Sequence, residues 1–201
     1  SKNFLFFMNK ALNYYEKKEK VFHISGWNYN VTPNIDEDCF FTRGMNCWGW
    51  ATWKNRWKHF EKNPDKIARN WKKEKIKKFN FDNSYNFFSQ IIRNKKRTLN
   101  SWAIFWYASI FNKKKLCLNP KISLTQNIGI GKKSTNTTKI EKVFNTRLKN
   151  KKIFKLKFPD EISENLIVFN LIKGEFNKNQ KASFLKKLFF YTNDKKNFKK
   201  N

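Results

Sequence analysis

Three observations predict an α/β domain, helix-rich with a few short strands. Apolar residues recur at helical spacing in stretches that open on Asn, Asp, Ser or Pro. Short apolar runs close at Gly or Pro, as strands do. Aromatics make up 18% of the 201 residues, so large rings fill a core that a hydrophobic content of 39% would otherwise leave thin. That length is enough for one domain with a real core.

Asn3 is placed to cap a first helix with the apolar stripe Phe4, Leu5, Met8, Leu12 and Tyr15, which the charged run Glu16–Lys20 ends. Val21–Gly26 reads as a short buried strand closed by a glycine, with His23 a core residue. A polar loop follows through Pro33 to Asp36, Glu37 and Asp38, read as a solvated loop in preference to a cation site. Cys39–Thr42 is a second short strand. It leads into Cys47–Trp57, where four of the eight tryptophans fall.

In that stretch Trp50, Trp53, Trp57 and Phe60 follow i, i+3, i+7, i+10 spacing, which predicts one face of a helix. Trp53 and Trp57 are assigned to packing. Trp48 and Gly49 precede the helix, in a turn where an indole points outward and a glycine lets the backbone come close to a ligand. Flat apolar rings in such a turn suit the C–H faces of a pyranose. Pro64 restarts a helix with Ile67, Trp71 and Lys75 spaced by four, and Asp82 is placed to cap the next, with Tyr85, Phe88, Ile91 and Ile92 apolar. Asn100 or Ser101 caps another, where Trp102, Phe105, Trp106 and Ile110 share a face. Leu116–Leu118 is a strand, separated by Pro120 from Ile122–Thr125. Gly129 and Gly131 open a polar loop that runs to Thr138. Two further helices are predicted, over Glu161–Leu171 and Ala182–Tyr191, with Asn193–Asn201 frayed.

The net charge of +29 points toward nucleic acid. However, 38 of the 44 cations are Lys, and Arg is the residue suited to bidentate phosphate and guanine contacts. Lys, Asn (28 residues), Phe and Ile are all encoded by A/T-rich codons, and the lysines are spread along the chain. Genome composition therefore explains the bias, although a lysine-rich surface still favours anionic membranes. Cys39, Cys47 and Cys117 form no C-x-x-C pair, which argues against a disulfide framework or zinc site and suits a reducing cytosol. No apolar run reaches the length of a membrane span and no signal-peptide pattern is present. The first residue is Ser1 and not Met, which suggests a piece of a longer protein. Phosphate-loop, dinucleotide, Ser-His-Asp and H-E-x-x-H patterns are lacking.

Three blocks together resemble the C-terminal half of a bacterial family 2 glycosyltransferase of GT-A type. They are Phe4–Leu12 running into Ile24–Asn28; Cys47–Lys54 with Trp57; and Ser101–Trp106 followed by Pro120 and Gln126–Gly129. The resemblance covers about residues 1–136, and Trp48–Trp53 is its most specific part. It implies a partial GT-A-like fold over 1–136 with a helical, lysine-rich C-terminal extension over 137–201. It also implies hexosyl transfer from a nucleotide-sugar to a glycan acceptor in cell-surface polysaccharide or lipopolysaccharide synthesis. In such enzymes a divalent metal, Mn or Mg, neutralises the leaving diphosphate and a carboxylate base activates the acceptor.

The family's acidic metal motif precedes the residue that matches Ser1, so the donor half is expected to be missing and the chain to be inactive alone, with no cofactor of its own. Two more positions depart from the pattern. Asn136 stands where relatives carry a histidine, a plausible metal ligand, and Asn100 stands where many carry an aspartate. An amide neither replaces imidazole on a transition metal nor accepts a proton as a base. The implied acceptor contacts are Trp48, Gly49 and Trp50, with Ser101, Trp102 and Trp106 as a second wall. The expected location is the cytoplasm, peripheral at the inner face of the membrane. The alternative is a basic, aromatic-rich module that stacks single-stranded nucleic acid.

Overall fold

The structure is a computed structural model that describes residues 1–129, 142–146, 148 and 155–197, with the backbone alone at 142 and 182–197. Its helices flank a mixed four-stranded sheet. The strands are β1 (Val21–Ser25), β2 (Cys39–Thr42), β3 (Trp50–Ala51) and β4 (Leu116–Pro120), in the order β2-β4-β1-β3. β1 and β4 run parallel at the centre; β2 and β3 pair antiparallel at the edges. The helices are α1 (Phe4–Tyr15), α2 (Lys54–Trp57), α3 (Pro64–Asn70), α4 (Lys73–Phe79), α5 (Phe88–Lys95), α6 (Ala103–Asn112) and α7 (Leu166–Asn197).

Both faces of the sheet are covered, so every residue of β1 and β2 is buried. On one face Cys39, Phe41 and Leu118 meet Phe7, Met8, Ala11 and Tyr15 of α1. On the other, Cys117 meets Trp106 and Ile110 of α6. Of the predicted stripe, α1 buries Met8 and Tyr15 and packs Phe4 and Leu12 at the margin, while Phe7 and Ala11 join the core and Leu5 faces outward. Asn3 makes no side-chain capping bond.

The largest cluster is aromatic. Trp27, Tyr29, Phe79, Phe81, Phe105 and Tyr107 pack with Val143 and with Val168, Phe169, Ile172 and Phe176 of α7. Part of the 137–201 segment thus shares a core with the first 129 residues. Arg43 fastens α7's approach through a two-pronged bond to Glu164, with Nη2 2.6 Å from Oε2. Beside it Asp82 accepts from Lys173 at 2.7 Å. Asp82 therefore caps no helix: Phe81, Asp82 and Asn83 form a left-handed turn, and Asn80 Oδ1 accepts instead from the Phe88 N–H at the start of α5.

Two further elements differ from expectation. The helix after Pro64 stops at Asn70, with Trp71 extended, and resumes at Lys73. Asn63 caps it through the Lys66 N–H. The two C-terminal helices are one helix of 32 residues, which Asn165 Oδ1 caps through the Val168 N–H and which runs straight through Gly174. Among the described residues nothing lies within 4 Å of a Cβ at Gly174, so none of them requires its small size. Among the described residues no helix is long and apolar enough to cross a membrane.

Candidate functional site

The Cys47–Trp57 stretch is not a continuous helix. Trp50 and Ala51 form β3, Trp53 is extended, and only Lys54–Trp57 is helical. Trp50 pairs with Ser25 and Ala51 with Ile24, so the edge strand takes its register from the central one. Gly49 makes the entry to that strand possible. Its φ is +72°, and a Cβ there would stand 2.6 Å from Thr125 Cγ2. Its carbonyl accepts from the Gly26 N–H at 2.6 Å, and the Thr125 hydroxyl donates to the Trp48 carbonyl at 2.7 Å.

The turn sends its two flanking indoles to different places. Trp48 packs edge-on against Trp27, 4.8 Å away, and against Phe144, so it joins the large core cluster as a partly buried residue. Trp50 belongs to a second group. Its ring lies 5.2 Å from Trp102 and 5.5 Å from Trp57, and Trp57 stacks on Phe60 at 4.8 Å. Trp57 and Trp102 are 37% and 40% exposed, which makes this an aromatic surface open to solvent. Trp106 touches Trp57 edge-on at 4.9 Å from behind and is fully buried, so it supports the surface without being part of it.

Beneath the surface lies His23, buried, with its ring stacked on Trp50 at 5.3 Å. An indole N–H can only donate, so Trp106 Nε1 at 3.2 Å fixes His23 Nδ1 as an acceptor. The proton then sits on Nε2, which donates to the Asn46 carbonyl at 2.9 Å. Burial pushes the His23 pKa down to about 4, against which the Asn46 bond works weakly, so the ring is neutral at physiological pH. The other histidine, His59, follows Trp57 by two residues and lies face to face with Phe22 at 5.7 Å. Its pKa is lowered by desolvation and by Lys113, Lys58 and Lys115.

Of the six residues expected to contact an acceptor, Trp50 and Trp102 come together at the surface. Gly49 supplies the backbone turn, Trp48 packs partly buried against Trp27, and Trp106 lies in the interior. Ser101 is held by its N–H on Asn94 Oδ1, 3.0 Å away, and Asn100 accepts from Lys62 at 2.7 Å. Trp57, assigned to packing, is the exposed residue that sequence periodicity missed. Its signal was misleading because the 3.6-residue stripe counted Trp50 and Trp53 as helical. Among the described residues no group of three His, Cys, Asp or Glu is arranged to hold a metal, and Asn136 lies outside them. Asp38 uses its carboxylate on the Lys157 N–H. The surface has flat rings and a neutral floor, which suits stacking and not proton transfer. No protein-family model, no curated protein and no solved structure matches the chain.

Proposed function

We propose that the chain is the acceptor-side part of a GT-A-like family 2 glycosyltransferase, and that Trp50, Trp57 and Trp102 form the platform on which a glycan acceptor stacks. One observation supports the reading above the rest: the three sequence blocks that carry the resemblance meet in space. Ser25 of the first pairs with Trp50 of the second, and Trp50 stacks beside Trp102 of the third. Leu124, on the segment after Pro120, donates its N–H to the Gly26 carbonyl at 2.8 Å. Residues separated by up to about a hundred positions in the chain converge on one turn.

The described residues supply no acidic metal motif, so sugar transfer needs a nucleotide-binding half that holds the nucleotide-sugar with Mn or Mg. The lysine-rich surface favours work at the inner face of an anionic membrane.

Titrating cell-surface oligosaccharides while following tryptophan fluorescence tests the platform. Binding is expected to change little with salt and to be lost in Trp102→Ala, whose melting temperature stays near that of the parent. Tight binding of single-stranded DNA that weakens steeply with salt, with no response to any glycan, would overturn the proposal.

A further inference from the structure

Arg56 is 4% exposed, yet among the described residues no carboxylate lies within ion-pair distance of it. Its guanidinium rests 4.5 Å above the Trp53 ring. It donates from Nη1 to Asn55 Oδ1 at 2.8 Å and from Nη2 to the Glu16 backbone carbonyl. Both acceptors are neutral. A guanidinium has five N–H donors, and a buried charge is ordinarily met by an opposite one.

This uncompensated cation stands in the wall of an open groove of about 540 Å³, lined by Glu16, Trp53, Lys54, Asn55, Arg56 and Lys58. Three cations face one carboxylate there, and Trp53 adds an apolar wall. The volume lies within the range of small-molecule sites, roughly 300–1,000 Å³, and far exceeds what a bare oxyanion needs. Two other partly buried cations do find carboxylates, Arg43 with Glu164 and Lys173 with Asp82.

We infer that this groove is a binding site for a sugar bearing an oxyanion, phosphate or carboxylate, whose charge completes the pairing of Arg56. Lys54 and Lys58 at its rim attract the anion, and the planar guanidinium provides the fork that a phosphate or carboxylate accepts. The site is separate from the tryptophan platform and stands whether or not that platform binds a glycan.

The test is an NMR titration of the whole 201-residue chain with glucose 1-phosphate, glucuronate, inorganic phosphate and neutral glucose. Either or both charged sugars are expected to saturate with one-site behaviour and move the Arg56 Nε–H resonance, and the tighter of the two identifies the charged group. Glucose should leave the Arg56 resonance in place. Inorganic phosphate should bind roughly tenfold more weakly than the better sugar. Lys54→Gln with Lys58→Gln alters only exposed side chains, so the fold is retained, and should weaken binding about tenfold. Arg56→Met, which keeps an unbranched apolar stem over Trp53, should abolish it. A Lys77→Gln, Lys78→Gln control and Trp102→Ala should both leave it unchanged. The inference is overturned if neither charged sugar saturates the shift, or if the control lysine pair weakens binding as much as the rim pair does.

Discussion

His23 ties stability to pH in a window that can be worked out from its surroundings. In the folded chain the ring is neutral, held between the Asn46 carbonyl and the Trp106 N–H, with a pKa of about 4. In the unfolded chain it returns to 6.5. Between these values the unfolded state binds the extra proton, so stability is complete above about pH 6.5 and is lost as pH falls toward 4. The gap is worth about 3 kcal/mol, a large share of the roughly 5–15 kcal/mol that holds a domain. Protonation also puts a second N–H on Nδ1, where it faces the Trp106 donor and has nothing to bond.

His59→Gln is the right background, because His59 is the only other histidine and its pKa is also lowered. Urea midpoints at pH 7, 6, 5 and 4.5 should fall steadily in that background and more shallowly once His23→Gln is added. The His23 Cε1–H resonance should stay at its neutral position down to about pH 5. A resonance that titrates near 6.5 in the folded protein, or a wild-type slope unchanged by His23→Gln, would refute the neutral, doubly bonded ring.

Other expectations rest on packing. Trp27→Ala removes a fully buried indole that touches Tyr29 and Trp48, and should cost about 3–5 kcal/mol in chemical denaturation. Gly49→Ala forces a side chain into a φ of +72° and against Thr125; a loss of about 1–3 kcal/mol is expected, and a melting temperature equal to the parent's would contradict the strained turn. Glu164→Ala leaves the Arg43 guanidinium with only the longer carboxylate contact to Asp82, 3.7 Å away, and should cost about 1–3 kcal/mol, with hydrogen exchange rising first at the start of α7.

Much of the architecture was legible because the relevant signals are local. Val21–Ser25 and Cys39–Thr42 are runs of apolar, β-prone residues and form strands. Pro64 opens a helix, and Phe105, Trp106 and Ile110 share the buried side of another, with Trp102 at its N-cap in place of the expected Asn100 or Ser101. The failures share a physical cause, the override of spacing by tertiary pairing. Trp50 sits at helical distance from Trp53 and Trp57, but hydrogen bonds to β1 hold it in a strand. No pattern within Cys47–Trp57 encodes that partner, which lies some 25 residues earlier. Asp82 has the chemistry of a cap, but a left-handed turn aims it at Lys173, 91 residues on. The predicted break between Leu171 and Ala182 contains Gly174, yet a glycine inside a helix costs only about 1 kcal/mol against Ala, which the four α7 residues buried in the core outweigh.

The site's least legible feature is the one that links it to the fold. Strict alternation along β1 would place Val21, His23 and Ser25 on one face and Phe22 and Ile24 on the other. Instead the pairing with β4 shifts between Val21 and His23. Val21 and Ile24 then both meet the α1 cluster, while Phe22 and His23 both turn toward Trp106. A bulge of this kind re-aims one side chain at the cost of a local break in the ladder. Here it delivers an imidazole to the underside of Trp50, where a regular strand would have buried it beneath α1. The tryptophan surface therefore rests on the central strand, through a ring whose two nitrogens are both committed to neutral partners. Its geometry is set by the sheet and α6 together, so the four-residue α2 needs no helical stability of its own to hold Trp57 in place.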